Sequence, residues 1–194
     1  MENFKKFIPW IILGALVLWG ISAYNGMISK EQNVNEAWAN VESAYQRRMD
    51  LIPNLVNTVK GYADFEQETL TKVIEARASA TQIKIDPSRI TPEQFAQFQQ
   101  AQAGLGSALS RLLAVAEGYP NLKANQNFLE LQAQLEGTEN RINVSRNRYN
   151  ETVREFNSAI KRFPGNLIAN ITGFEARSFF EAQEGAEKAP EVKF

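Results

Sequence analysis

The chain has 194 residues, with 21 Lys and Arg against 22 Asp and Glu, a net charge of −1, and neither His nor Cys. Its charges are interspersed, so no basic face points to nucleic acid. Without thiol or imidazole there is no disulfide, no thiolate nucleophile, no imidazole base and almost no transition-metal site. No catalytic, cofactor-binding or metal-binding residue is expected.

Residues 7–23 carry no charge. Seventeen residues lie at the short end of what crosses a hydrocarbon core roughly 30 Å thick. Trp10 and Trp19 stand near the two ends of the segment, where amphipathic rings favour the headgroup level. The competing reading, a cleaved secretory signal, has Lys5 and Lys6 in its favour. Against it, Ile21, Ser22, Ala23 and Tyr24 make a poor cleavage site. Residues 1–28 therefore read as a retained transmembrane signal anchor that contacts lipid through residues 7–23. Lys5 and Lys6 before the segment outweigh Lys30 after it, which favours an extracytoplasmic domain.

From Ser29 to about Gln82 the only Gly is Gly61 and the only Pro is Pro53. Val34, Trp38, Val41, Tyr45, Ile52, Leu55, Val59, Tyr62, Leu70, Val73 and Ile74 recur at spacings of three and four, as in a long amphipathic helix. Such a helix would run on from the anchor unless Asn25 and Gly26 break it, and Pro53 predicts a kink near Asp50. Arg47, Arg48, Asp50, Pro53 and Asn54 form the densest cluster of unusual choices in the chain. Proline frees the carbonyl of Met49, which Asn54 or an arginine can satisfy. Such a polar joint is a candidate interface; the plainer reading is a self-repaired kink flanked by solvated arginines.

Residues 85–90 read as a loop. Thr91, Pro92 and Gln94 form a helix-start signature, with an N-cap, a proline at the first position and a capping-box partner. That helix is predicted to reach Glu117, with Gly104 and Gly106 marking close helix approach, and Gly118 to Pro120 end it.

From Leu122 to Phe163 only Gly137 interrupts a helical pattern. Phe128, Leu135, Ile142, Tyr149, Phe156 and Phe163 are spaced by seven throughout, which predicts a left-handed supercoiled seam against a partner helix. Leu131, Thr138, Ser145, Thr152 and Ala159 form a smaller, more polar companion row. Arg141, Arg146, Arg148 and Arg154 are expected to pair with Glu42, Glu66, Glu68 or Glu75 across an antiparallel bundle, or to be solvated. The density of Asn on this helix points either to polar interhelical contacts or to surface drift. Residues 166–180 read as a short docked helix and an apolar extended piece. The acidic tail, residues 181–194, reads as disordered.

The fold expected is all-α: an elongated antiparallel helical bundle over residues 29–180, with long coiled-coil-type helices on an N-terminal transmembrane helix. Particular segments resemble a known signature. They are Ala37-Trp38; Arg47 to Tyr62; Glu75-Ala76-Arg77; Tyr119 to Asn125; Phe128 to Gln132; Leu135 to Ile142; Arg148-Tyr149-Asn150; and Phe163 to Ala169. Together they resemble the bacterial LemA family across essentially the whole domain. The resemblance implies a membrane segment followed by a long-helix bundle, and no established catalytic activity. It also implies a scaffold or adaptor role beside a membrane metalloprotease or another envelope protein. The reading is a homo-oligomeric, single-pass scaffold of the bacterial cytoplasmic (inner) membrane. The alternative is a monomeric adaptor or ligand-binding module regulating an envelope stress or protease system, marked by a groove lined by Trp38, Tyr45 and Tyr62.

Overall fold

The computed structural model describes residues 2–62, 65–83, 85–87 and 90–181. The expectation of disorder over 181–194 falls, apart from Glu181, outside them. Six helices occur among the described residues: α1 (Glu2–Lys60), α2 (Gln67–Gln82), α3 (Pro92–Ala116), α4 (Pro120–Lys123), α5 (Gln126–Lys161) and α6 (Gly165–Thr172).

α1 runs unbroken through Asn25 and Gly26 for 59 residues, with Pro9 and Pro53 inside it. At 1.5 Å per residue that is about 90 Å. Its N-terminal part is long and apolar enough to cross a membrane, and none of that apolar stretch is buried among the described residues. A helix is the conformation that satisfies every backbone group where water is absent. The polar part of α1 pairs with α5 along the bundle, and α2 pairs with α3.

The helix expected from Ser29 to Gln82 is two antiparallel helices. α1 ends in a tight turn, Gly61 donating to the carbonyl of Thr58 and Tyr62 to that of Val59. Phe65 then turns inward and packs on Tyr119, ring centroids 4.9 Å apart, closing the end of the bundle far from the apolar N-terminal segment. Apolar periodicity runs through this turn because the residues on both sides of it face the same core.

The chain goes up α1, down α2, up α3 and down α5. Around the distal half, Ile52, Leu55 and Val59 meet Leu70 and Val73 of α2, Leu105, Leu109 and Leu112 of α3, and Phe128 and Leu135 of α5. Around the half nearer the apolar N-terminal segment, Val34, Trp38 and Tyr45 meet Phe95 and Phe98 of α3 and Ile142, Tyr149 and Phe156 of α5. α2 is too short to reach this lower half. The loop residues Ile83, Ile85 and Ile90 and the returning C-terminal segment cover it instead.

The capping box at Thr91 and Gln94 is present in both directions. α5 begins at Gln126 rather than Leu122, because the Asn125 side chain accepts from the backbone N–H of Phe128 at 3.0 Å and sets the N-cap there. Leu122 belongs to the short turn α4. Gly104 and Gly106 are not points of close helix approach. A side chain at Gly104 would meet nothing within 4 Å, and one at Gly106 would meet only Nη1 of Arg48, at 3.7 Å. After α5, a cis Phe163–Pro164 bond leads into α6. Gly165 has no room for a Cβ, which would lie 2.6 Å from the carbonyl oxygen of Ala159. Gly173, at φ 78°, closes α6 in the left-handed conformation.

Candidate functional site: a polar joint and a C-terminal clasp

Pro53 lacks the N–H that would bond the carbonyl of Met49. The structure supplies a donor from another helix: Nε of Arg77, in α2, reaches Met49 O at 3.0 Å. Immediately before Met49, Arg48 points into the bundle and is only 3% exposed. Its Nη1 donates to Oε2 of Glu139 in α5 at 3.0 Å. Its Nη2 donates to the backbone carbonyl of Gln102 in α3 at 3.0 Å and to that residue's Oε1 at 2.6 Å. The guanidinium also lies over the Tyr45 ring, 5.1 Å from its centroid. Two arginines thus join α1 to α2, α3 and α5 at one level.

The remaining joint residues face outward. Arg47, Asp50, Pro53 and Asn54 are exposed, and Asp50 accepts from Nε2 of Gln46 at 2.7 Å. Arg47, Asp50, Asn54 and Asn57 fall on one face of α1, by their spacing of three and four. Asn54 and Asn57 also line a shallow, polar cleft of about 380 Å³ with Asn127, Glu130 and Gln134 of α5. Charge reversal of both arginines together therefore disturbs two different things: Arg48 belongs to the interior and Arg47 to the surface.

The seven-residue row is divided as well. Phe128, Leu135, Ile142, Tyr149 and Phe156 are buried within the chain, against α1, α2 and α3. Phe163 lies past the end of α5 and is 79% exposed.

A second constellation closes the lower half. Residues 174–181 run extended along α5. The Asn150 side chain donates to the carbonyl of Phe180 at 2.9 Å and accepts from its N–H at 2.8 Å. Asn157 does the same for Arg177, both bonds 2.9 Å. Seven residues of helix rise about 10.5 Å, and three residues of extended chain cover about 10 Å, so the two amides match two peptide groups. Phe180 stacks on Trp38 with centroids 6.0 Å apart and planes at 7°; Phe95, Phe98 and Tyr149 complete the cluster around that indole. Arg146 lies over Phe180 and donates to the carbonyl of Glu181 at 2.8 Å. Arg177 pairs with Glu31 at 2.7 Å. Burial pushes the Tyr149 hydroxyl up to about 12. Burial raises Tyr45 too, against the opposing cations of Arg146 and Arg48.

The expected pairing of Arg141, Arg146, Arg148 and Arg154 with Glu42, Glu66, Glu68 or Glu75 does not occur among the described residues. Glu66 accepts from the Thr69 hydroxyl at 2.7 Å. Glu68 pairs with Lys72 one turn along α2, and that bond holds its carboxyl below the usual range. Among the described residues no group of three His, Cys, Asp or Glu could hold a metal. Arg77, Gln102, Glu139, Asn150 and Asn157 join the site only in the folded chain. Asn150 and Asn157 carried a usable signal, a repeat of seven in phase with the apolar row. The arginine partners carried none, because their separations of 28, 54 and 91 residues follow only from the topology.

The LemA family model matches residues 37–194, a span that begins beyond the uncharged segment. Magnetosome protein MamQ 2 of Paramagnetospirillum magneticum is 26% identical over 181 residues, covering 84% of this chain and 66% of that protein. Magnetosome protein MamQ of Magnetospirillum gryphiswaldense is 24% identical over 197 residues, covering 93% and 72%. Protein LemA of Metamycoplasma hominis is 25% identical over 185 residues, covering 95% and 81%. The chain thus spans just under two thirds of the length of the Paramagnetospirillum relative.

Proposed function

The chain belongs to the LemA family, and from that premise we propose that it is a membrane-anchored, non-catalytic helical scaffold. It self-assembles and organises or shields a membrane partner such as an envelope protease. Its membrane is the bacterial cytoplasmic (inner) membrane, with the bundle on the extracytoplasmic side. The observation that carries this reading is where the polar chemistry is used. Arg48, Arg77, Asn150 and Asn157 all hold backbone or side chains of the same chain, which makes a rigid rod rather than a reactive cleft.

The apolar row of α5 is consumed inside the chain, so self-assembly falls to the outer ridge of Arg47, Asp50 and Asn54. Of the residues that would line the adaptor's groove, Trp38 and Tyr45 are buried core and Tyr62 is half-buried. The test is the particle mass of the full chain in nanodiscs by native mass spectrometry. A discrete multiple of 21.9 kDa, lost when Arg47, Asp50 and Asn54 are replaced together by Glu, Lys and Lys, supports the scaffold. A monomer overturns it in favour of the adaptor.

A further inference from the structure

Beyond the anchor segment, the exposed large apolar side chains are mostly scattered: Ile74 on α2, Leu129 and Val144 on α5, Phe179 on the extended segment. The exception is the corner where α5 passes into α6. There Phe163, Leu167 and Ile171 stand 79%, 52% and 86% exposed. Leu167 and Ile171 are one turn apart on one face of α6. The opposite side of α6 is docked, with Ala169 buried and Ile168 packed on the core.

The position of this corner along α1 decides what covers it. Gly165 packs so closely on Met27 that a Cβ there would lie 3.0 Å from Cε of Met27. Just after α6, Phe174 meets Tyr24 with ring centroids 5.9 Å apart. Met27 is four residues past the uncharged segment, about 6 Å along the helix axis. One headgroup layer is about 5–8 Å deep. The first charged residue after that segment is Lys30, so α6 rests on a stretch of α1 that carries no charge. Lys161 and Arg162, both exposed, immediately precede the apolar corner and suit anionic headgroups.

We propose that α6 and the turn before it form a second membrane contact. Phe163, Leu167 and Ile171 enter the headgroup–acyl boundary of the bilayer that α1 crosses, with Lys161 and Arg162 on anionic lipid. The contact rests on the reading of α1 as a membrane anchor. It fixes the tilt of the bundle, since a rod held at one helix swivels and a rod held at two points does not.

The Cys-free chain makes the test direct. Full-length protein carrying Ile171→Cys, or Ser110→Cys on the exposed face of α3 as reference, is labelled with an environment-sensitive fluorophore. Each is reconstituted in vesicles of phosphatidylcholine and phosphatidylglycerol. The label at 171 is expected to be quenched by spin-labelled lipid and to be severalfold less accessible to iodide than the label at 110. Iodide access equal to that at 110, without lipid quenching, overturns the contact. So does protection from iodide without lipid quenching, which would place a second copy over the corner. Flotation of the chain with the vesicles separates the two premises. A chain that floats but fails at 171 refutes the α6 contact alone, and one that does not float refutes the anchor and the contact with it. Unchanged circular dichroism of both variants confirms that the fold is intact.

Discussion

Nε of Arg77 in α2 donates to the main-chain carbonyl of Met49 in α1 at 3.0 Å, the carbonyl that Pro53 leaves without a helical donor. A proline in mid-helix normally sets an acceptor free for water. Here the freed acceptor becomes the point where the second helix is fastened to the first.

Arg77→Met leaves that carbonyl half-buried without its partner and is expected to cost about 1–3 kcal/mol. Pro53→Ala restores the missing N–H, so the same Arg77 substitution should cost much less in that background. Thermal unfolding of the four proteins of this cycle in detergent measures the coupling directly. Equal costs in both backgrounds would show that Arg77 contributes by packing or charge and not through Met49.

Arg47 and Arg48 are adjacent in sequence and opposite in role. Arg48→Glu places a carboxylate against Glu139 and the Gln102 carbonyl and is expected to cost about 3–5 kcal/mol, as for one broken partner of a buried pair. Arg47→Glu lies on the outer ridge and should change stability by no more than about 0.5 kcal/mol. Loss of assembly with Arg47→Glu at wild-type helicity would assign the ridge to an interface. Circular dichroism with native mass spectrometry separates the two effects.

The Asn150 and Asn157 amides each make two bonds to the returning chain, and Leu at both positions removes all four. The segment 174–181 should then open locally while the helices persist. Arg177, held at its backbone by Asn157, offers trypsin a site in that segment. The expected outcome is cleavage after Arg177 at a rate raised severalfold in Asn150→Leu/Asn157→Leu, with helical content retained. An unchanged rate would mean that Phe180 in the Trp38 cluster holds the segment without the amides.

These side chains also mark how far the sequence was legible. The capping box at Thr91, the apolar row from Phe128 to Phe156 and the helix end before Pro164 could be read because their signals are local and periodic. The turn at Gly61 was hidden because α1 and α2 present apolar faces to one core, and spacing alone does not register a reversal of direction. Arg48 lies beside Arg47 with nothing nearby to separate an inward arginine from an outward one. The difference is made by Gln102 and Glu139, which only the folded bundle brings to it. The asparagines could be counted, but counting did not reveal that two of them match the rise of an extended strand.

Alkaline pH should destabilise the bundle through its buried phenols. Tyr149 keeps its proton up to about 12 in the fold, against about 10 in an unfolded chain. Above pH 10 the unfolded state therefore binds fewer protons than the folded one. Stability present in full below that pH is lost as pH rises towards 12. Two pKa units correspond to roughly 2–3 kcal/mol. Tyr45 adds a contribution of the same sign, since its pKa is raised as well. Denaturant unfolding at pH 9 and pH 11.5 should show the loss, and Tyr149→Phe should reduce it without abolishing it. An alkaline loss unchanged in Tyr149→Phe would place its origin elsewhere.

Gly104 in α3 and Gly137 in α5 are exposed, lie inside helices, and would meet nothing within 4 Å if given a Cβ. Glycine in a helix interior costs about 0.5–1 kcal/mol relative to alanine, through backbone entropy that the unfolded chain retains. Each Gly→Ala change should therefore stabilise the monomeric fold by about that amount, and the two should add because they sit on different helices. Gly104 carries a second question, because it lines a shallow groove of about 420 Å³ between α2 and α3, with Ala76, Ala101 and Ala108. If the groove has no occupant, Gly104→Ala raises the melting temperature and leaves the particle mass in nanodiscs unchanged. If another helix seats there, the added methyl weakens assembly while the isolated fold still gains. The divergence of those two measurements in Gly104→Ala, against their agreement in Gly137→Ala, distinguishes a packing defect from a docking groove.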